Sequence, residues 1–528
     1  MAGPVTAMTS GMPGRLRRAG VTIAGALTAA CVLSVFSTGC KMQQRPIPDS
    51  LDISVPYELD TLDPHASDTI SNFAVLANCY EPLVRTDANL KVQPCLASTW
   101  ATPDPSTWVF RLERSAKFHS GKPLQARDVV YSLRRLMTSR NLEMGTYTTA
   151  IEDVKELDPY AVQITTKRPQ SVFLNKLNFL LIIPEGMTAE RMVERVDGTG
   201  PYQLYKWEPD LITLDRNDRY RGKKPDFQKV RIHLRRTPQD AIEDLLSGKS
   251  QFVQCSSRNL DKLAQARDRF GIHRRESLFV KYLAFDMARD ITPYCAVRPN
   301  PFKNRLVRKA LSLAIDRQRL ASSLTAAAVP ATQPVPAFVF GFNPEIGLPP
   351  YDPALAREFL AEAGLPDGFE VTLHVRQILG EAALLVREQL DEVGVRVGLK
   401  VLQDHEFFQA AGRHEMTFML SRLGCPIGDA SQVLELAFHS PDPQGLLGRI
   451  NYGAYSDPEI DRIARENTEL MNIADRGRAL QEAMSKLMDD LVWIPLYIDQ
   501  DVYAMDGSLS WQPRHDSYIL AEDIAVRR

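Results

Sequence analysis

Two short stretches begin as a zinc-binding helix does. His405-Glu406 and His414-Glu415 each open the pattern H-E-x-x-H, but Gln409 and Phe418 stand where the second imidazole belongs. Catalytic zinc takes about three protein ligands, so a single His in each stretch cannot hold it, and both read as polar residues flanking a helix. No G-x-x-x-x-G-K-[ST] phosphate loop, G-x-S-x-G nucleophile turn or G-x-G-x-x-G dinucleotide fingerprint occurs in the 528 residues. Asp and Glu are plentiful, yet no spacing singles out an acid and base pair. No C-x-x-C occurs, which argues against a zinc ribbon or a redox motif. These absences point to a chain that binds rather than converts, with no metal and no cofactor of its own.

The elements that would carry a binding site are those of a large globular protein. The chain is 44% hydrophobic and 24% charged, with 29 Gly and 35 Pro. At roughly 150 residues per domain, its length allows about three domains or lobes, and it is no small disulfide-stapled module. The formal net charge of -2 gives no electrostatic reason for a nucleic-acid partner. Neither disorder nor a coiled coil fits this composition.

The N-terminus has a different composition. Arg15, Arg17 and Arg18 precede an uncharged, mainly apolar run from Ala19 to Phe36, followed by Ser37-Thr38-Gly39-Cys40. A basic region, an apolar region and small residues before a cleavage point make a secretory signal, and a Cys immediately after them resembles a bacterial lipobox. The reading is a signal peptide over 1 to 39, lipidation at Cys40 and a polar tether over 40 to 50. The alternative is an uncleaved membrane anchor, since about 17 to 25 residues span a bilayer. Either way the remainder is extracytoplasmic. Of the 63 Lys and Arg in the chain three lie before Cys40, with none of the 65 Asp and Glu, so the exported part stands at -5. Beyond Cys40 remain Cys79, Cys95, Cys255, Cys295 and Cys425, an odd number that cannot be fully paired. Buried free thiols are the expectation, with a Cys79 to Cys95 bridge as the alternative.

Helix punctuation recurs along the exported part. Thr237-Pro238 caps a helix whose apolar face is Ala241, Ile242, Leu245 and Leu246, and Gly248 stops it. Asp352-Pro353 opens a helix ended by Gly364, and Asp457-Pro458 opens another carrying Ile460 and Ile463. A helix over 381 to 393 ends at Gly394, after which Val395, Val397, Leu399 and Val401 alternate as a half-buried strand. Leu491 to Ile498 follows a helix in the same way. Helices feeding strands predict α/β (mixed α+β) lobes.

Several motifs follow one another in order: Leu62-Asp63-Pro64-His65, Tyr80-Glu81-Pro82-Leu83-Val84, Trp108-Val109-Phe110-Arg111-Leu112 and Phe118-His119-Ser120-Gly121 with Asp128-Val129. Gly198-Thr199-Gly200-Pro201-Tyr202, Arg216-Asn217, Tyr220, Ala314-Ile315-Asp316-Arg317 and Ile494-Pro495-Leu496-Tyr497 continue the series. Taken together the chain resembles the extracytoplasmic solute-binding proteins of oligopeptide, dipeptide and nickel ABC importers, solute-binding protein family 5. The resemblance implies a bilobal periplasmic-binding-protein-like fold with two crossovers between lobes. Lobe I would hold 51 to 284 plus 500 to 528, with an inserted subdomain at about 85 to 175. Lobe II would hold 285 to 499, and the family region would span about 90 to 445. The implied partners are a peptide or peptide-like solute, permease and ATPase subunits, and a membrane reached through the lipid anchor, with the protein itself a monomer. A nickel or metal-chelate binder of the same class is an alternative, as is a non-transport lipoprotein on this scaffold.

Peptide-binding relatives carry Gly-Trp-x-x-Asp-x-x-(Asp/Glu)-Pro on the cleft wall of the second lobe, where the first carboxylate pairs with a peptide's amino terminus. Aligned on Asp429, this chain has Arg422 at the Gly, Leu423 at the Trp and Pro426 at the amine-pairing Asp. An ammonium buried without an acceptor is costly, so free α-amine recognition is not expected unless Asp429 substitutes. Arg422 could instead attract a carboxylate. On the first lobe the resemblance implies that Asn72 and Phe73 lie near the cleft. Most other motif residues read as scaffold, with His119 a structural imidazole and Asp128 a first-turn helix charge.

Overall fold

The computed structural model describes residues 49 to 528, except 140, 257–259, 265–267, 326–327 and 443–446. The expected export signal, Cys40 and the tether up to residue 48 lie outside the described residues.

A strand buried on both faces is apolar or internally hydrogen-bonded along its whole length, and Ser50–Val55 is buried at every residue after the first. It runs parallel to Lys229–Leu234 on one side and Phe252–Cys255 on the other. Leu211–Arg216 and Tyr202–Glu208 extend this half antiparallel to the edge. In the other half Phe369–Arg376 lies parallel between Val395–Leu402 and Phe418–Leu423. Two long antiparallel strands, Phe270–Phe285 and Trp493–Asp506, join the halves into one eleven-stranded sheet. Their outer neighbours are Phe418–Leu423 and Phe252–Cys255 respectively. The chain therefore crosses between lobes twice. In the first crossover strand the register shifts at residues 277–279.

The helix caps form as the sequence dictates. Thr237 and Asp240 make a reciprocal capping box at the start of Pro238–Ser247, and Gly248 ends the helix with φ 79°. Ala241, Ile242 and Leu245 are buried, each large apolar side chain contributing about 1.5–3 kcal/mol. Asp352 and Asp457 cap Pro353–Glu362 and Pro458–Glu466 through their side chains. In Val395–Leu402 burial fades along the strand, and Val401 is 49% exposed. Glu406 closes a capping box with Gln403 at the start of Asp404–Gly412, which is the work its H-E pair does. No group of three metal-ligating side chains occurs among the described residues.

Ala97–Asp104, Thr107–Leu112, Ala161–Thr166 and Ile151–Asp158 build a separate four-stranded antiparallel sheet. Ala126–Thr138 packs on it through Val129, Leu133 and Leu136. Several motif residues are knots that tie this first lobe together. Asp63 receives both Nη atoms of Arg135, whose Nη1 also donates to His65 Nδ1 at 2.8 Å. Glu81 takes Arg221 at 2.6 and 2.9 Å and the Tyr220 hydroxyl at 3.0 Å. His119 is buried, hydrogen-bonded from Nε2 to the Gly200 carbonyl and accepting the Gly198 N–H on Nδ1. Asp128 caps its helix and also accepts the Glu185 N–H. All five described Cys are free, so Cys79 and Cys95 are not bridged.

Candidate solute-binding cleft

The break between the two lobes lies inside the crossover strands. Glu276 pairs with Gln500 and Val280 with Ile498, so Ser277, Leu278 and Phe279 face Asp499 alone. A bulge of this kind interrupts the ladder and bends the strand, which makes it the natural hinge. Charged groups gather beside it.

Lys281 is 1% exposed, and its Nζ meets Asp499 at 2.6 Å and donates to the Phe279 carbonyl at 3.2 Å. Burial draws its pKa below the usual lysine value, against the pull of Asp499. Asp501, two residues along the same strand, accepts from the Ser517 hydroxyl. Burial pushes its carboxyl up to about 6; Ser517, Lys281 and Arg422 lower it and Asp499 raises it. Ser517 is held in turn by Tyr57, whose hydroxyl donates to its carbonyl at 3.2 Å.

Arg422 is the cross-strand neighbour of Lys281. Its guanidinium lies over the Phe279 ring, 4.5 Å from the centroid. Its Nε is buried with no hydrogen-bond partner, and no ion pair reaches the side chain among the described residues. Burial and then the Arg376 charge hold its pKa below the usual arginine value, opposed by Asp404, Asp499 and Asp501. Gly424 allows the chain to pass the same ring, since a Cβ there would lie 2.9 Å from Phe279.

The loop after Arg422 fills the seam between lobes. Ile427 is 1% exposed and belongs to the first lobe's apolar core, and its carbonyl accepts Asn175 Nδ2 at 2.9 Å. Lys176 meets Glu435 at 3.4 Å, Ser171 donates N–H and hydroxyl to the Thr468 carbonyl at 2.7 and 3.0 Å, and the His515 ring stacks on Phe338 at 3.5 Å.

The residues expected from sequence occupy three different settings. Arg422 stands at the seam beside the hinge. Leu423 is half-buried and packs into the second lobe's core. Asp429 sits behind the loop, both oxygens taken by Arg476 at 2.6 and 2.5 Å with each side chain 6% exposed. It cannot substitute as an amine acceptor without breaking that pair. Asn72 caps nothing itself: its Oδ1 accepts the Asp60 N–H at 3.0 Å and its Nδ2 is buried without a partner. Phe73 is 8% exposed and packs on Phe179 and Tyr518 at 5.5 and 4.9 Å. Phe179 continues to Tyr147, stacked at 4.8 Å. Phe73 is thus a ring of the first lobe's apolar core.

Sequence reasoning missed Lys281, Phe279, Asp501 and Ser517. Two signals were present: Lys281 is the lone charge in an apolar run, and Asp499 and Asp501 share one face of a strand.

The family described as bacterial extracellular solute-binding proteins, family 5 Middle, matches residues 91–445. The chain belongs to this family. Its members are solute-binding proteins of ABC importers, extracytoplasmic and not enzymes. A curated relative is the glutathione-binding protein GsiB of Salmonella choleraesuis, 27% identical over 482 residues, covering 87% of this chain and 90% of that protein. Among solved structures, the periplasmic binding protein DppA of Helicobacter pylori in complex with the peptide STSA is 20% identical with a TM-score of 0.76, covering 91% of this chain and 98% of that one. NikZ of Campylobacter jejuni in complex with Ni(L-His) is 21% identical with a TM-score of 0.77, covering 91% and 100%. Both share the family's fold.

Proposed function

We propose that this chain captures a peptide-like solute between its two lobes and delivers it to a membrane permease, as a monomer anchored through a lipidated Cys40. The observation that carries the reading is the hinge: two bulged crossover strands at which charged side chains and the 422–429 loop meet the first lobe. A solute touching both walls favours closure only by its preference for the closed over the open form, and about 5.5 kcal/mol inverts a 1:99 population. Micromolar affinity corresponds to about 8 kcal/mol, enough for that shift.

The solute is not held by a free α-amine at this loop. Pro426 offers no carboxylate, and that of Asp429 is already paired with Arg476. The relatives' ligands, glutathione by name and a bound peptide, support the peptide-like class. Native mass spectrometry of the exported protein, purified without unfolding, tests the reading. The expected result is one co-purifying small molecule with peptide bonds. A metal chelate in its place, or a bare chain after exposure to peptide mixtures, would contradict it.

A further inference from the structure

We propose that Arg422 is the docking point for a carboxylate of the solute, an inference that rests on capture between the lobes. The charges around it have nearer partners. Asp404 receives Arg376 at 2.9 Å on one oxygen and a second bond on the other. Asp499 holds Lys281, and Asp501 holds the Ser517 hydroxyl. Among the described residues Arg422 has no bonded partner, and its Nε is shut away from water. Buried polar atoms in folded proteins are hydrogen-bonded, so a donor nitrogen shut away from water with no acceptor is unfavourable.

The setting selects the ligand chemistry. The Phe279 ring supports one face of the guanidinium, leaving its planar fork to be met edge-on. Two parallel N–H donors match the two oxygens of a carboxylate. The loop offers no free carboxylate, with Pro at 426 and Asp429 held by Arg476, and it begins at a cation. The charge it is built to meet is therefore the solute's acid rather than its amine.

Calorimetric titration of the exported protein with N-acetyl-trialanine and with its C-terminal amide tests this. The acid is expected to bind about 10- to 100-fold more tightly than the amide. Arg422→Gln should erase the difference, and Arg422→Lys should restore part of it while keeping the charge; unchanged circular dichroism would show that both variants fold. Equal affinity of the intact protein for acid and amide, or undiminished acid binding by Arg422→Gln, would overturn the role of Arg422 and leave the peptide-like reading standing. Binding of neither probe would overturn that reading and the inference built on it.

Discussion

Two arginines of the second lobe are treated in opposite ways. Arg476 places both Nη atoms on Asp429, 47 residues away in sequence, and so fixes the loop that fills the seam. Arg422, at the start of that loop, has a ring beneath it and no bonded anion. The first arrangement is closed electrostatically by the chain itself. The second is completed by something that arrives, so stability resides in one region and recognition in the other.

Removing one partner of the closed pair should have the largest effect. Asp429→Ala leaves Arg476 charged, buried and alone, and is expected to destabilise the protein by about 3–5 kcal/mol in urea unfolding. A change below 1 kcal/mol would erase the contrast. At the hinge the sign reverses. The Asp501 carboxyl is raised to about 6 in the folded protein from 3.8, so protonation favours folding. The stability it contributes is complete below pH 3.8 and lost as pH rises through 6. Asp501→Asn should therefore stabilise the protein at pH 7.5 by about 2 kcal/mol and flatten its stability between pH 4 and 7. A carboxylate on Arg422 would raise Asp501 further by cancelling that cation, so acid solutes should bind more tightly at pH 6 than at pH 8.

Arg422→Met should also stabilise the solute-free chain, by up to about 1 kcal/mol, because it removes a half-buried charge whose Nε has no partner. Destabilisation instead would mean that Arg422 serves the fold as Arg476 does. The smallest effect belongs to the rim of the seam. Arg168 and Glu469 meet at 3.0 Å with side chains 71% and 33% exposed. Glu469→Gln should change stability by less than about 0.5 kcal/mol, and less still in high salt.

Local grammar was legible in the sequence. Thr237, Asp352 and Asp457 cap the helices they announce, and Gly248 stops the first of these as expected, because capping involves residues three or four apart. The ordered motifs identified the scaffold, although their roles are long-range: Asp63 finds Arg135, and Glu81 finds Arg221, through the fold alone. The site was only half legible. The replacement of Gly by Arg422 and of Asp by Pro426 could be seen along the loop, whereas the partner that removes Asp429 from recognition comes from a distant helix. The hinge was hidden because the change from Arg274-Arg275-Glu276-Ser277 to the apolar run beginning at Leu278 reads equally as a straight strand passing from surface to core.

The most direct measurement is a crystal structure of the exported protein soaked with an N-acetylated peptide acid or retaining its co-purified solute. The account predicts a solute between the lobes at the 277–279 bend, with a carboxylate meeting the Arg422 guanidinium edge-on. A solute bound elsewhere, or one in the cleft whose charged groups leave Arg422 unpaired, would contradict it.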